Sequence, residues 1–164
     1  MRSEMVERES LVEVGNLDHR FPDRILRQPG GEALRACFQC GLCTASCPIS
    51  LIDSRYSPRR VIKRILLGMR DQVLRDRFIW LCSACFLCQE RCPQDVRPPE
   101  VMTVLKNMAV KEGILPQGIA RMMEVFKRTG RLYPIDDFTA EEREELGLPH
   151  LEEEQEAVKR LLEE

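Results

Sequence analysis

Apolar positions recur at helical spacing along most of this chain. Val61, Ile62, Ile65, Leu66 and Met69 form one stripe, and Ser57-Pro58 before them is a helix start, with Ser as N-cap and Pro at the first helical position. A second helix is predicted over 71–80, running straight into Cys82. Pro98-Pro99 opens another, with Val101, Met102, Leu105, Met108 and Ala109 on one side and Gly113 as its stop. Pro116 and Gly118 lead into a helix over 119–128, where Gly130 takes the C′ position and Met122 and Met123 join the other methionines as core. Thr139 with Glu142 reads as a capping box. Residues 151–162 predict an acidic helix with Leu151, Val158, Leu161 and Leu162 on one stripe, and 32–36 a short helical lead-in to Cys37. Alternation of period two is confined to 10–15, one short strand. The fold class that follows is mostly α, with little strand.

Two segments interrupt this pattern. One is CFQCGLCTASCP at 37–48; the other is CSACFLCQERCP at 82–93. They agree at six of twelve positions, and they hold all eight cysteines of the chain. Cysteine group, helix, cysteine group, helix is a duplication. Both groups follow C-x2-C-x2-C-x3-C-P, the run that binds a [4Fe–4S] cluster in bacterial ferredoxins. Three cysteines separated by two residues let one tight turn wrap three thiolates around a cubane. The fourth, followed by a proline that drives the backbone out of the loop, ligates the other cluster. On that logic Cys37, Cys40, Cys43 and Cys92 hold one [4Fe–4S] cluster, and Cys82, Cys85, Cys88 and Cys47 hold the second. Between the ligands, Gly41, Ala45, Ser46, Ser83 and Ala84 are small enough for backbone N–H groups to approach cluster sulfur. Phe38, Leu42, Phe86 and Leu87 are expected to exclude water, and Arg35 and Arg91 to add positive charge nearby.

Other chemistry is weakly represented. Structural zinc takes paired C-x2-C half-sites separated by a longer loop, unlike three consecutive steps with a trailing C-P. A thioredoxin-like site wants one C-x-x-C pair beside a βαβ pattern, which is missing. His19 and His150 lie in polar turn-like segments and read as solvent residues. No Gly-rich phosphate loop, Ser/His/Asp set or carboxylate pair is visible. The residues describe an electron conduit with no site for chemistry on a substrate.

Charge and compartment complete the picture. The net charge of −2 divides unevenly: from Asp136 to Glu164 there are 12 acids and 3 bases, so the rest of the chain carries +7. Eight bases lie between Arg55 and Arg77 against two acids. They are not interleaved with stacking aromatics, so solvated helix faces that dock an acidic protein are favoured over nucleic acid. The start is charged without an apolar region behind it, and Val61 to Leu67, the best apolar run, carries two charges. No membrane insertion is expected. A cytoplasmic location is, where thiols stay reduced and grouped cysteines read as metal ligands.

The 34 residues between Cys47 and Cys82 are strongly helical, unlike the hairpins of a small bacterial ferredoxin. This resembles the α-helical ferredoxin fold of the iron–sulfur subunits of succinate dehydrogenase and fumarate reductase. The two cysteine groups, SPRRVI at 57–62, the Trp80-Leu81-Cys82 context and VRPPEVM at 96–102 together resemble the iron–sulfur C-type subunit of heterodisulfide reductase, over roughly residues 10 to 130. The resemblance implies two [4Fe–4S] clusters that pass electrons between a flavin-containing A-type protein and a catalytic B-type protein bearing CCG motifs. This chain has no Cys-Cys dipeptide, so that catalytic site lies elsewhere. The expected layout is an N-terminal arm at 1–30, an α-helical ferredoxin domain at 31–134 and an acidic tail at 135–164. Two other classes stay open: the iron–sulfur component of a flavin dehydrogenase for an organic acid or glycerol phosphate, and a cluster-based redox sensor.

Overall fold

The computed structural model describes residues 12–133, 135–149 and 160–161. Among them the regular structure is entirely helical, in short pieces joined by tight turns. The chain divides into two compact units between Ile114 and Leu115.

The first unit holds both cysteine groups. Its frame is four helices: α1 (Phe21–Leu26), α4 (Pro58–Leu66), α5 (Arg70–Leu74) and α7 (Pro98–Lys111). Between α1 and α4 lie two short helices, α2 (Leu42–Ala45) and α3 (Pro48–Ile52), and between α5 and α7 lies α6 (Leu87–Glu90). Helix α4 starts as its sequence predicts, with Ser57 Oγ accepting from Arg60 N at 3.2 Å and Pro58 at the first turn. Its stripe Val61, Ile62 and Ile65 is buried. It meets Phe21 and Ile25 of α1, Val73 and Leu74 of α5, and Val101, Met102 and Leu105 of α7 in one cluster. Each fully buried aliphatic side chain of this kind stabilises the fold by about 1.5–3 kcal/mol. Phe21 is the single aromatic in that cluster, so the core is aliphatic.

Some expectations of local structure change. Residues 71–80 are not one helix: α5 stops at Leu74, and a 3₁₀ turn takes over at Arg77–Leu81. Asp76 causes the break. Its carboxylate accepts from Phe78 N at 2.9 Å, starting a new turn, and is held by Arg64 of α4 at 3.0 Å. The predicted strand fails too, because Val14–Asn16 form a 3₁₀ turn; residues 10 and 11 lie outside the described ones. The part of the 1–30 arm that is described is integral to the first unit, since Phe21 and Ile25 are wholly buried in its core. The compact units divide between Ile114 and Leu115, after the turn that follows α7, whereas the 134/135 boundary marks where acids begin to accumulate in the sequence.

In the second unit, α8 (Gln117–Thr129) ends at Gly130, whose φ of 72° and N–H bond to Phe126 O at 2.8 Å make the left-handed stop glycine favours. Helix α9 (Asp137–Glu145) is capped by Asp136, not by the Thr139–Glu142 box. Asp136 accepts from Thr139 N at 2.9 Å, and the Thr139 hydroxyl donates to the same carboxylate. Most of the helix expected at 151–162, and His150, lie outside the described residues. No helix among the described residues is long and apolar enough to cross a membrane.

Candidate cluster-binding site

The two cysteine groups fold alike, residue for residue. In the first, Gln39 (φ 63°) and Gly41 (φ 89°) are left-handed; in the second, Ala84 (φ 51°) and Phe86 (φ 61°) take the same positions. Alternating hand turns successive N–H groups inward, the backbone nest that suits anionic cluster sulfur. A non-glycine residue there carries strain, which the surroundings of a functional site hold in place. Each loop then runs into a four-residue helix, α2 or α6, and these two pack against each other. Cys47 and Cys92 follow, each succeeded by a proline. Pro48 opens α3 and carries the backbone away.

This arrangement makes two cavities. The first is lined by Cys37, Cys40, Cys43 and Cys92, with Ile62, Val96 and Pro98 among its apolar walls. The second is lined by Cys47, Cys82, Cys85 and Cys88 with Ile49, Tyr56, Pro99 and Met102. Pro98 is a wall of both. Each cavity thus draws three cysteines from one group and one from the other. Met102, expected as core, is both core and cavity wall.

The donor set suits a polynuclear centre. Among the described residues no group of three or more His, Cys, Asp or Glu side chains is placed to hold one metal ion. The thiols stand around voids instead. Burial raises the Cys43 thiol, with Cys37 and Cys40 adding to the rise. Burial likewise pushes Cys88 up to about 12, with Cys82, Cys43 and Cys47 contributing. Thiols so placed need positive charge from outside the chain to become thiolates, and iron supplies it. Cys43 and Cys88 feel each other, so the cavities are neighbours.

Hydrogen bonds reach the sulfurs from several sides. Gln39 Nε2 donates to Cys37 at 3.3 Å, and Val96 N donates to Cys92 at 3.4 Å. Thr44, beside Cys43, fixes the loop to α4, its Oγ1 lying 3.0 Å from Ser57 Oγ and accepting from Arg59 N at 3.1 Å. Tyr56, buried, lines the second cavity beside Cys82. The residues between ligands that were expected to exclude water do not: Phe38 is 60% exposed and Phe86 46%, with Leu42 and Leu87 similar. They rim the mouths beside Cys40 and Cys85, which are exposed, while Cys47 and Cys88 are buried. Arg35 turns away to pair with Asp23. Gln39, Thr44 and Tyr56 escape sequence reasoning: Gln39 and Thr44 sit at positions the ligand spacing leaves unspecified, and Tyr56 reaches the second cavity from a segment with no motif of its own.

Residues 33–96 match the model of a 4Fe–4S dicluster domain. Over 143 residues, 87% of this chain and 76% of the relative, the chain is 36% identical to the C subunit of the H(2):CoB-CoM heterodisulfide,ferredoxin reductase of Methanothermobacter thermautotrophicus. The chain belongs to the family of heterodisulfide reductase C subunits. Other members of that family are similar at comparable levels. The second iron–sulfur C subunit of the CoB–CoM heterodisulfide reductase of Methanocaldococcus jannaschii is 38% identical over 72% of this chain and 62% of its own. The C subunit of the ferredoxin:CoB-CoM heterodisulfide reductase of Methanosarcina mazei is 35% identical over 79% of each. As a member of this family the chain is an iron–sulfur electron-transfer protein of a multi-subunit complex, and its cofactors are two [4Fe–4S] clusters.

Proposed function

We propose that this chain relays electrons between a flavin-containing, A-type protein and a CCG-motif, B-type protein in a cytoplasmic, disulfide-reducing complex. Cys37, Cys40, Cys43 and Cys92 hold one cluster, and Cys47, Cys82, Cys85 and Cys88 hold the other. The observation that carries this reading is the partition of the eight cysteines into two four-cysteine cavities that share a wall. When bound, each cluster takes up and gives back one electron. The chain's own residues do the rest. The left-handed loops aim N–H groups inward, the α4–α7 framework fixes the spacing of the two cavities, and Ile62, Val96 and Met102 keep their inner walls dry. The exposed rims at Phe38 and Phe86 give each cavity its own surface for a partner. The names of the relatives, which join heterodisulfide and ferredoxin in one reductase, favour disulfide chemistry at the far end of the relay.

Cys47→Ser tests the ligand sets. In the anaerobically purified complex it is expected to perturb the EPR signal that Cys85→Ser also perturbs, and to leave the one that Cys40→Ser changes. If Cys47→Ser and Cys40→Ser act on the same signal, each loop keeps its own fourth cysteine and the crossed ligation is wrong. Mass spectrometry of the same preparation tests the partners: a flavoprotein and a CCG-motif protein are expected, and their absence overturns the relay.

A further inference from the structure

Cys82 differs from the other seven cysteines in what surrounds it. Two polar side chains from distant parts of the chain converge on this one residue. Tyr56, in the turn before α4, is 2% exposed and lines the second cavity together with Cys82. Lys106, on α7 and half-buried, donates from Nζ to the Cys82 carbonyl oxygen at 3.2 Å.

Neither contact is explained by packing alone. A tyrosine this deep needs a partner for its hydroxyl, but a phenylalanine would fill the same space without that need. An ammonium group drawn under the surface gives up hydration, and a single neutral carbonyl returns only part of it. Both arrangements become favourable when negative charge sits on the sulfur side of Cys82. A reduced cluster is more negative than an oxidised one, so a hydroxyl donor and a cation beside its ligand favour the reduced form. The rest of that cavity works the other way. Its lining, Ile49, Pro58, Phe86, Pro99 and Met102, is apolar and free of charged groups. The first cavity is arranged differently: its sulfurs receive an amide N–H from Gln39 and a backbone N–H from Val96, and the one cation on its wall, Arg59, is exposed to screening solvent.

We infer that Tyr56 and Lys106 set the redox potential of the cluster in the second cavity, raising it above the value its apolar walls alone would give. The inference rests on Cys82 being a ligand of that cluster, as proposed above, and does not depend on which cavity Cys47 serves. The pair acts through Cys82 without touching a substrate, so both are tuning residues. Together they make the second cavity more electron-accepting than it would otherwise be, and so bias where an electron rests within the chain.

The test is an EPR-monitored redox titration of the anaerobic complex with both clusters loaded. The second cluster is identified as the signal altered by Cys85→Ser. Tyr56→Phe, which keeps the ring and its packing, and Lys106→Met, which keeps the length of the stem, are each expected to lower the midpoint of that signal. The midpoint of the other signal stays at its wild-type value in both. Gln39→Leu is the converse control, and lowers only the other midpoint. Loaded variants in which no midpoint moves, or in which both signals move together, overturn the inference. A wild-type preparation with fewer than two clusters, or one in which Cys85→Ser leaves both signals unchanged, would instead defeat the ligand assignment on which it rests.

Discussion

Replacing Gly31 by alanine is the sharpest probe of how the first cavity is held. Gly31 is buried in the turn that follows α1, and a Cβ built on it falls 2.8 Å from the carbonyl carbon of Ile25 and closer still to its oxygen. Ordinary van der Waals contact for a Cβ begins near 3.4 Å, so the backbone of α1 or of the turn must move by about 0.6 Å or more. A backbone carbonyl has no rotamer to escape into, and Ile25 is fully buried. The cost therefore lies at the upper end of the overpacking range, about 3 kcal/mol. With a slope of roughly 2 kcal/mol per molar urea, the unfolding midpoint falls by about 1.5 M. The strain also has a direction. Gly31 O accepts from Leu34 N at 3.1 Å, Leu34 is wholly buried, and Leu34 O accepts from Cys37 N at 3.3 Å. A displaced Gly31 thus drags the turn that delivers Cys37. Anaerobic urea titration of Gly31→Ala, followed by helical circular dichroism and by cluster absorbance, is expected to show early loss of the cluster of the first cavity. A midpoint within error of wild type would refute the tight apposition of Gly31 and α1.

Three other outcomes follow from the same geometry. At Gly118 in α8 an added Cβ meets nothing within 4 Å, so Gly118→Ala is expected to stabilise the protein by about 0.5–1 kcal/mol in the same urea assay. The Asp136 carboxylate is held below its usual range by its bonds from Thr139, so its contribution is complete above that range and is lost only as pH falls through the lowered value. Amide exchange at Thr139, corrected for intrinsic rate, should show constant protection between about pH 6 and 9 and faster exchange in Asp136→Ala. Chelating the iron after oxidation is expected to cost helical signal, because eight thiols around two voids lose the centres that tie α2, α6 and the α7 start together; an apo-protein with unchanged circular dichroism would contradict this.

The two cysteine groups that line the cavities were legible in the sequence because their repeated spacing survives as a string of letters. Helices α4 and α7 were legible for a related reason: Ser57-Pro58 and Pro98-Pro99 act on their own next turn. What escaped turns on which of several competing caps and contacts a segment makes. Residues 71–80 carry Val73, Leu74 and Ile79 at spacings a single helix would accept, but Asp76, held by Arg64 of α4, caps Phe78 N and breaks it. Asp136 outcompeted the Thr139–Glu142 box because its carboxylate, one residue ahead of α9, reaches Thr139 N and leaves that box no role. Phe38 and Phe86 looked like shields because they are apolar, yet the left-handed loops leave them at the rim. Tyr56 and Lys106 gave no signal at all, since a lone tyrosine and a lone lysine have no pattern.

The sharing of cysteines between the two cavities bears on how the holoprotein is made. The first cavity needs Cys92 and the second needs Cys88, so neither can be filled on a nascent chain that ends before Cys88. The first cube to arrive is then expected to bring the two halves together and thereby preassemble the cradle for the second. A maturation factor delivering cubes one at a time would meet a steep second step and leave few half-filled molecules behind it.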